Sequence, residues 1–412
     1  MEKPKIRDTI LAEPWGQSED GEPVFRIRDH LIFKGPGLGV GRLHILLLQM
    51  FDGTRSVSDV QAELTQALGG QLFPGDVLED FVEALDECLF LDNENFAGAF
   101  DEMMSELRSS PRAPICAGRS YSDEPEILQE QIASYFEHPD GPGLPNGDAN
   151  GKPIKAIVAP HIDYDRGGFS YAHAYRQLQE SPPIDLFIIL GTGHDGPRGE
   201  FVFSQQDFET PLGIVETDRD FIQRLQARVA QDLCEEEFLH VDEHSIELQL
   251  VFLQNTYGVE NCPKIVPILC GGFHLAMMEG TVPTDDPSIA AFIDALRETI
   301  GESDQSICVM ASADLSHVGP HFGDHDVEVS EDYLSEIGSE DLELLEVALK
   351  LDANDFFRHI LQEKNKRRIC GLASIYTMLS VIDPVEAKLL NYGQTNQPTG
   401  DLAVTFCSMT FR

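Results

Sequence analysis

From about residue 150 onward the chain alternates short, wholly apolar runs with amphipathic stretches. The runs "IKAIVAP", "DLFIILG", "KIVPILC" and "SICVMAS" have the length of single strands and are apolar at consecutive positions, as strands buried on both faces are. Beside them, "DRDFIQRLQARVA" and "PSIAAFIDALRETI" repeat apolar residues at helical spacing. This alternation predicts an α/β domain with a largely parallel central sheet. Arg42 to Leu91 reads differently, as three helical segments. Ser56 followed by Asp59 fits a helix N-cap with an acid three residues on, and Asp52-Gly53 marks a turn. Val77, Phe81, Leu85 and Leu89 recur every four residues and predict a core-facing stripe. A small helical bundle with a short wing is expected there.

The apolar runs end in a recurring way. "AIVAPH" ends in His161, "FIILGTGH" in His194, "IVPILCGGFH" in His274, and "CVMASADLSH" in His317 preceded by Asp314. In an open α/β sheet, ligands bind beyond the carboxyl ends of parallel strands, so side chains at that edge converge on one crevice. Imidazoles suit Zn, Fe, Cu or Ni, and a carboxylate or thiolate completes such a site. His161 and His194 are expected to converge, with Gly191 and Gly193 turning the chain sharply before His194. His274, set farther out behind two glycines and Phe273, reads as an ordinary loop residue.

Three further features carry chemistry. "DEHSIELQLVFL" places His244 and Glu247 three apart at the start of an amphipathic helix, hence on one face, with Glu243 beginning that helix. Polar groups on an apolar face need partners, and support of a metal ligand or proton transfer supplies them. Cys370, in "KNKRRICGLASIYTMLSVI", follows four basic residues and precedes an apolar helix. Nearby cations and the helix dipole both favour a thiolate there. Asp314 and His317 are close enough to share a turn, the carboxylate holding the imidazole for proton transfer.

Composition narrows the possible partners. With 29 Lys+Arg against 71 Asp+Glu, the formal charge is -42, which repels nucleic acid and anionic membranes. The longest apolar runs fall short of the ~18–20 residues of a membrane span, and "MEKPKIRDTI" has no apolar run after its charges. Eight cysteines without a C-x-x-C pair point to free thiols in a reducing cytoplasm. "GPGLGVG" lacks the G-x-G-x-x-G spacing of a dinucleotide loop, and neither H-E-x-x-H nor G-x-S-x-G is present to suggest a hydrolase.

The blocks "APHIDY", "LGTGHDG", "ETPLGIVETD", "EHSIELQLVFL", "VPILCG", "ADLSHVG" and "ICG", in this order and spacing, resemble the Memo family. Its bacterial and archaeal members are often labelled AmmeMemoRadiSam system protein B. The resemblance begins near residue 111 with "PICAGRSYSDEPEIL". It therefore implies two domains, 1–108 and 109–412, with "HPDGPGLPNGDANGKP" as an internal loop of the second. It also implies a fold similar to class III (LigB-type) extradiol dioxygenases, enzymes of non-haem Fe(II). By motif, His161, His194 and Cys370 match the family's metal-binding positions, and Asp314 and His317 its acid/base-type pair, with His244 and Glu247 as outer support. Fe(II) is the favoured ion, with Cu or Zn as alternatives. The implied chemistry is redox or dioxygenase-like, on a small-molecule or peptidyl substrate, with radical-SAM and AMMECR-type proteins as partners. A non-catalytic adaptor or metal carrier is the alternative reading. Two departures change the pocket wall: His161-Ile162-Asp163-Tyr164 replaces His-Ala-Gly-Tyr, and Leu372-Ala373-Ser374 replaces Arg-His-Pro after Cys370-Gly371. In the first domain, "MFDGTRSVSDVQAEL" and "VLEDFVEALDECLFLD" resemble PqqD-like winged-helix modules, which hold a peptide against an edge strand.

Overall fold

The computed structural model describes residues 3–145, 152–384, 386–396 and 400–412, which form two compact units, Met1–Ser109 and Ser110–Arg412. Part of the turn-rich stretch "HPDGPGLPNGDANGKP", residues 146–151, lies outside the described residues.

The first unit opens with β1 (Ile10–Gln17), β2 (Pro23–Asp29) and β3 (Leu38–Gly41), an antiparallel sheet in that order. Four helices follow: α1 (Arg42–Met50), α2 (Val57–Ala67), α3 (Gly75–Glu87) and α4 (Glu94–Leu107). The pattern did not point to this sheet, because β1 is exposed along most of its length and shows no apolar alternation. At the start of α2 the reciprocal cap is present: the Ser56 side chain accepts from the Asp59 N–H, and Asp59 accepts from the Ser56 N–H. The buried face of α3 is Leu78, Phe81, Val82 and Leu85, whereas Val77 is exposed and Leu89 lies past the helix with φ 58°. A stripe of four-residue steps drifts by about 40° per step around a 3.6-residue helix, so it leaves the core within two turns.

The second unit is built on an eight-stranded sheet. Its strands are β4 (Ala156–Ala159), β5 (Leu186–Thr192), β6 (Phe201–Phe203), β9 (Lys264–Cys270), β10 (Ile307–Ser312), β11 (Asp314–Val318), β12 (Ala387–Asn396) and β13 (Ala403–Phe411). A separate hairpin joins β7 (Phe208–Thr210) to β8 (Gly213–Val215). The sheet order is β11-β13-β4-β10-β5-β9-β6, with β12 against β13. The four central strands β4, β10, β5 and β9 are parallel, and every edge pairing is antiparallel. The sheet is thus mixed, parallel only where the fully apolar runs lie.

Helices α5 (Pro125–Phe136), α6 (Tyr164–Gln179) and α8 (Glu247–Tyr257) pack together on one face. There the rings of Tyr164, Tyr171 and Tyr175 surround Phe252 at 5.0–5.1 Å. Buried hydroxyls require acceptors, and these reach backbone: Tyr171 donates to the Ile162 carbonyl at 2.9 Å, anchoring the loop after β4. The remaining helices are α7 (Arg219–Gln226), α9 (His274–Glu279), α10 (Pro287–Gly301), α11 (Glu331–Ala348), α12 (Ala353–Gln362) and α13 (Leu372–Val381). Of these, α13 lies over β5 and β10 and is buried along nearly its whole length. Among the described residues no helix is long and apolar enough to cross a membrane.

Candidate metal centre

Because β4, β10 and β5 are adjacent and parallel, their carboxyl ends bring His161, Asp314 and His194 to one edge of the sheet. Gly191 stays within β5, and Gly193 opens the turn through His194 and Asp195, its carbonyl accepting from the Gly196 N–H at 3.2 Å. Neither has left-handed backbone, and their role is close packing: a Cβ at Gly191 would fall 2.6 Å from Ser245 Oγ, and one at Gly193 2.9 Å from Pro197 Cδ.

Cys370 arrives on the segment before α13, which runs alongside β11. The His317 N–H donates to the Arg367 carbonyl (2.8 Å), Cys370 N–H to Leu315 (3.0 Å) and Gly371 N–H to Asp314 (2.8 Å). Glycine alone fits at 371, since a Cβ would lie 2.3 Å from that of Ala313.

The Cys370 sulfur sits 3.2 Å from His161 Nε2 and 3.5 Å from His194 Nε2, and the three donor atoms lie within 4.8 Å of one another. Each imidazole is tied at its other nitrogen. His161 Nδ1 is 2.9 Å from the Ser312 carbonyl, and His194 Nδ1 is 3.0 and 3.1 Å from the two carboxylate oxygens of Glu243. Both partners only accept, so Nδ1 carries a hydrogen in each ring and Nε2 faces the sulfur. Burial opposes charge on His161, yet the Cys370 thiolate and Asp314 push it up to about 9. Burial also opposes charge on His194, and hydrogen bonds to Cys370 and Glu243 push it up to about 11. Burial alone would raise the Cys370 thiol; the two imidazoles bring it well below its ordinary value. This centre attracts positive charge.

The basic residues before Cys370 contribute differently from the sequence expectation. Lys366 pairs with Glu340 at 2.7 Å, the fully buried Arg367 with Asp341 and Glu363, and Arg368 with Asp324 at 2.5 Å. These ion pairs hold the loop, and the thiolate depends on the imidazoles instead.

His244 and Glu247 do not share a helical face. Helix α8 starts at Glu247, so His244 lies in the turn ahead of it and points toward the metal centre, its ring stacked on that of His194 at 4.9 Å. Burial pushes His244 down to about 4. Glu247 turns into the core, where it pairs with Arg112 and accepts from Tyr121 and the N–H groups of Ile115 (2.9 Å) and Cys116 (2.8 Å). Glu243 supplies the carboxylate at the centre, a role hidden in sequence by its reading as the first residue of the helix. The neighbouring His244 was the available signal. Glu247→Ala is expected to cost about 3–5 kcal/mol in urea unfolding, because it strands the buried Arg112 charge, while ion content per folded chain stays unchanged.

Asp314 and His317 lie on one strand, not in a shared turn. β11 carries one extra residue between them opposite β13, a bulge, and this brings residues three apart onto the same cleft. Asp314 accepts from the N–H groups of His161 (3.0 Å) and Ile162 (3.2 Å), so among the described residues its hydrogen bonds brace the His161 loop rather than His317. His317 Nδ1 is 3.2 Å from the Leu315 carbonyl.

His161, His194, His244, Asp314 and His317 line a cleft of about 450 Å³, walled on another side by Phe322, Leu402 and Val404. Asp163, one of the departures expected to change the pocket wall, lines this cleft, caps α6 and pairs with Arg166. His274 opens α9 and does not line the cleft.

Two histidines from parallel strand ends and a thiolate from the segment before α13, meeting at one edge of the sheet, define an α/β protein with the donor set of a transition-metal site. The chain belongs to the Memo family: the family's sequence profile, described as Memo-like protein, matches residues 112–410. It is similar to a MEMO1 family protein of Aquifex aeolicus, 26% identical over 414 residues, covering 99% of this chain and 100% of the relative. A MEMO1 family protein of Desulfurococcus amylolyticus is 31% identical over 296 residues, covering 70% of this chain and 94% of the relative. One from Methanopyrus kandleri is 29% identical over 309 residues, covering 73% and 99%.

Proposed function

We propose that His161, His194 and Cys370 hold one transition-metal ion, Fe(II) in preference to Cu or Zn, and that the second unit is an enzyme of redox, dioxygenase-like chemistry. One observation carries this reading: both imidazoles are tied at Nδ1 by acceptors and aim Nε2 at the same sulfur. Ligating histidines typically donate their other N–H to a carbonyl or carboxylate in this way. With the distances of zinc, near 2.3 Å to sulfur and 2.0–2.1 Å to nitrogen, two donors sharing one ion at a tetrahedral angle would stand about 3.5 Å apart. The separations here, 3.2 and 3.5 Å, fit that edge.

A bound ion would supply a Lewis acid or one-electron centre. The chain's own residues do the rest. Asp314 fixes the His161 loop. His317, with Nδ1 turned to the Leu315 carbonyl, presents Nε2 to the cleft, where it takes or returns a substrate proton. The substrate is a small molecule or peptide segment, and the family's likeness to class III extradiol dioxygenases supports oxygen-dependent chemistry. The N-terminal unit is read as a PqqD-like module serving radical-SAM and AMMECR-type partners. Among the described residues β1 pairs only with β2, so it has a free edge for a peptide.

The test is His317→Asn in anaerobically prepared protein. Melting temperature and ion content should match wild type, while the spectrum of the Fe(II) form on exposure to oxygen should change in rate or end point. A variant indistinguishable from wild type in all three would remove His317 from the chemistry and favour the metal carrier or adaptor.

A further inference from the structure

We propose that Glu243 sets the tautomer of two imidazoles at once, so that with the ion bound both carry hydrogen at Nδ1, His194 aiming Nε2 at the Cys370 sulfur and His244 presenting a bare Nε2 to the cleft. This rests on the metal reading above and adds a hydrogen-bond acceptor beside the ion.

Glu243 is 7% exposed and held from both sides. It accepts from the backbone N–H of His194 at 2.9 Å and of Ser245 at 2.9 Å, so the carboxylate is a rigid acceptor. His194 Nδ1 meets both of its oxygens, and His244 Nδ1 lies 3.3 Å from Oε1. The two rings stack at 4.9 Å with only 17° between their planes. At His194 these hydrogen bonds place the hydrogen on Nδ1; at His244 the contact is an ion-pair distance without a hydrogen bond, and the carboxylate's charge favours a hydrogen on the facing Nδ1 over a lone pair there, which leaves a neutral ring with a bare Nε2. Parallel rings with Nδ1 on the same carboxylate send Nε2 the same way. For His194 that direction is the Cys370 sulfur; for His244 it is the cleft beside His161, whose ring centre is 5.6 Å away.

The same three residues, His194, Glu243 and His244, also have donor atoms within 4.8 Å of one another. The carboxylate's lone pairs, however, already meet two backbone N–H groups and the imidazoles, which favours a positioning role over a second cation. Glu243 is therefore a positioning residue. His244 is the acceptor for an O–H or N–H of whatever ligand occupies the cleft.

The experiment loads the full chain with Zn(II) and reads histidine side-chain ¹⁵N resonances, with His244 assigned by its loss in His244→Gln. The expected wild-type result is the Nδ1–H tautomer at His244, the less favoured form in water. An Nε2–H tautomer there would overturn the proposal. In Glu243→Gln, His244 should shift toward Nε2–H and Zn(II) affinity should fall about 10–100-fold, as loss of an outer carboxylate does. Unchanged tautomer and affinity would also overturn it. If Glu243→Gln does not fold, the wild-type tautomer alone decides. Should wild type take up no more Zn(II) than Cys370→Ala, the metal reading fails, and the tautomer of the ion-free chain still decides the role of Glu243.

Discussion

Cys370→Ala is expected to strip the protein of its ion, leaving less than about a tenth of the wild-type content after anaerobic purification, with His161→Ala and His194→Ala close behind. A four-ligand zinc site is worth about 10–16 kcal/mol, so one donor is worth about 3–4 kcal/mol, or about 10²–10³ in affinity. Cysteine should show the largest loss, because its charge as well as its lone pair disappears while two imidazoles stay fixed at Nδ1 by Ser312 and Glu243. Elemental analysis beside a melting curve separates loss of the ion from loss of the fold. Wild type should carry close to one ion per chain. Equal content in all four proteins would show that the ion sits elsewhere.

Acidification should release the ion steeply. In the ion-free chain His161 is pushed up to about 9 and His194 to about 11, so both attract protons across the neutral range. Binding an ion at Nε2 displaces those protons, and each one displaced makes affinity fall about tenfold per pH unit as the pH is lowered. One displaced proton predicts about a hundredfold weakening from pH 8 to pH 6, and two about 10⁴-fold. The direction follows from the sign of the shifts: raised imidazoles favour the protonated, ion-free state in acid. Competition titrations with a chelator of known pH dependence would measure the slope. A flat profile across this range would contradict proton displacement at these imidazoles.

Much of this centre was legible in sequence, for a simple reason. A parallel strand buried on both faces must be apolar throughout, so its end is visible as the point where the run stops. His161 and His194 stand just beyond such ends, and sheet topology then obliges them to meet. The reciprocal cap at Ser56 and Asp59 was legible for the same kind of reason, being local to four residues. Residue order and spacing carried the family.

What the sequence left open depended on contacts between distant segments. Whether Glu243 or Glu247 faces the centre turns on where α8 begins, and that is decided by Arg112, Tyr121 and two backbone N–H groups that claim Glu247 from far away in the chain. Lys366, Arg367 and Arg368 before Cys370 are held by Glu340, Asp341 and Asp324, partners no local pattern identifies. Asp314 and His317 reach one cleft through a single extra residue opposite β13, a strand that lies at the far end of the chain. Strand β1, exposed along most of its length, left no apolar alternation. Periodicity reports how one segment meets the core, so the sequence determined the four central parallel strands, their ends and the histidines just beyond them. Which carboxylate serves which imidazole is a matter of pairing between segments, and only the tertiary structure decided it.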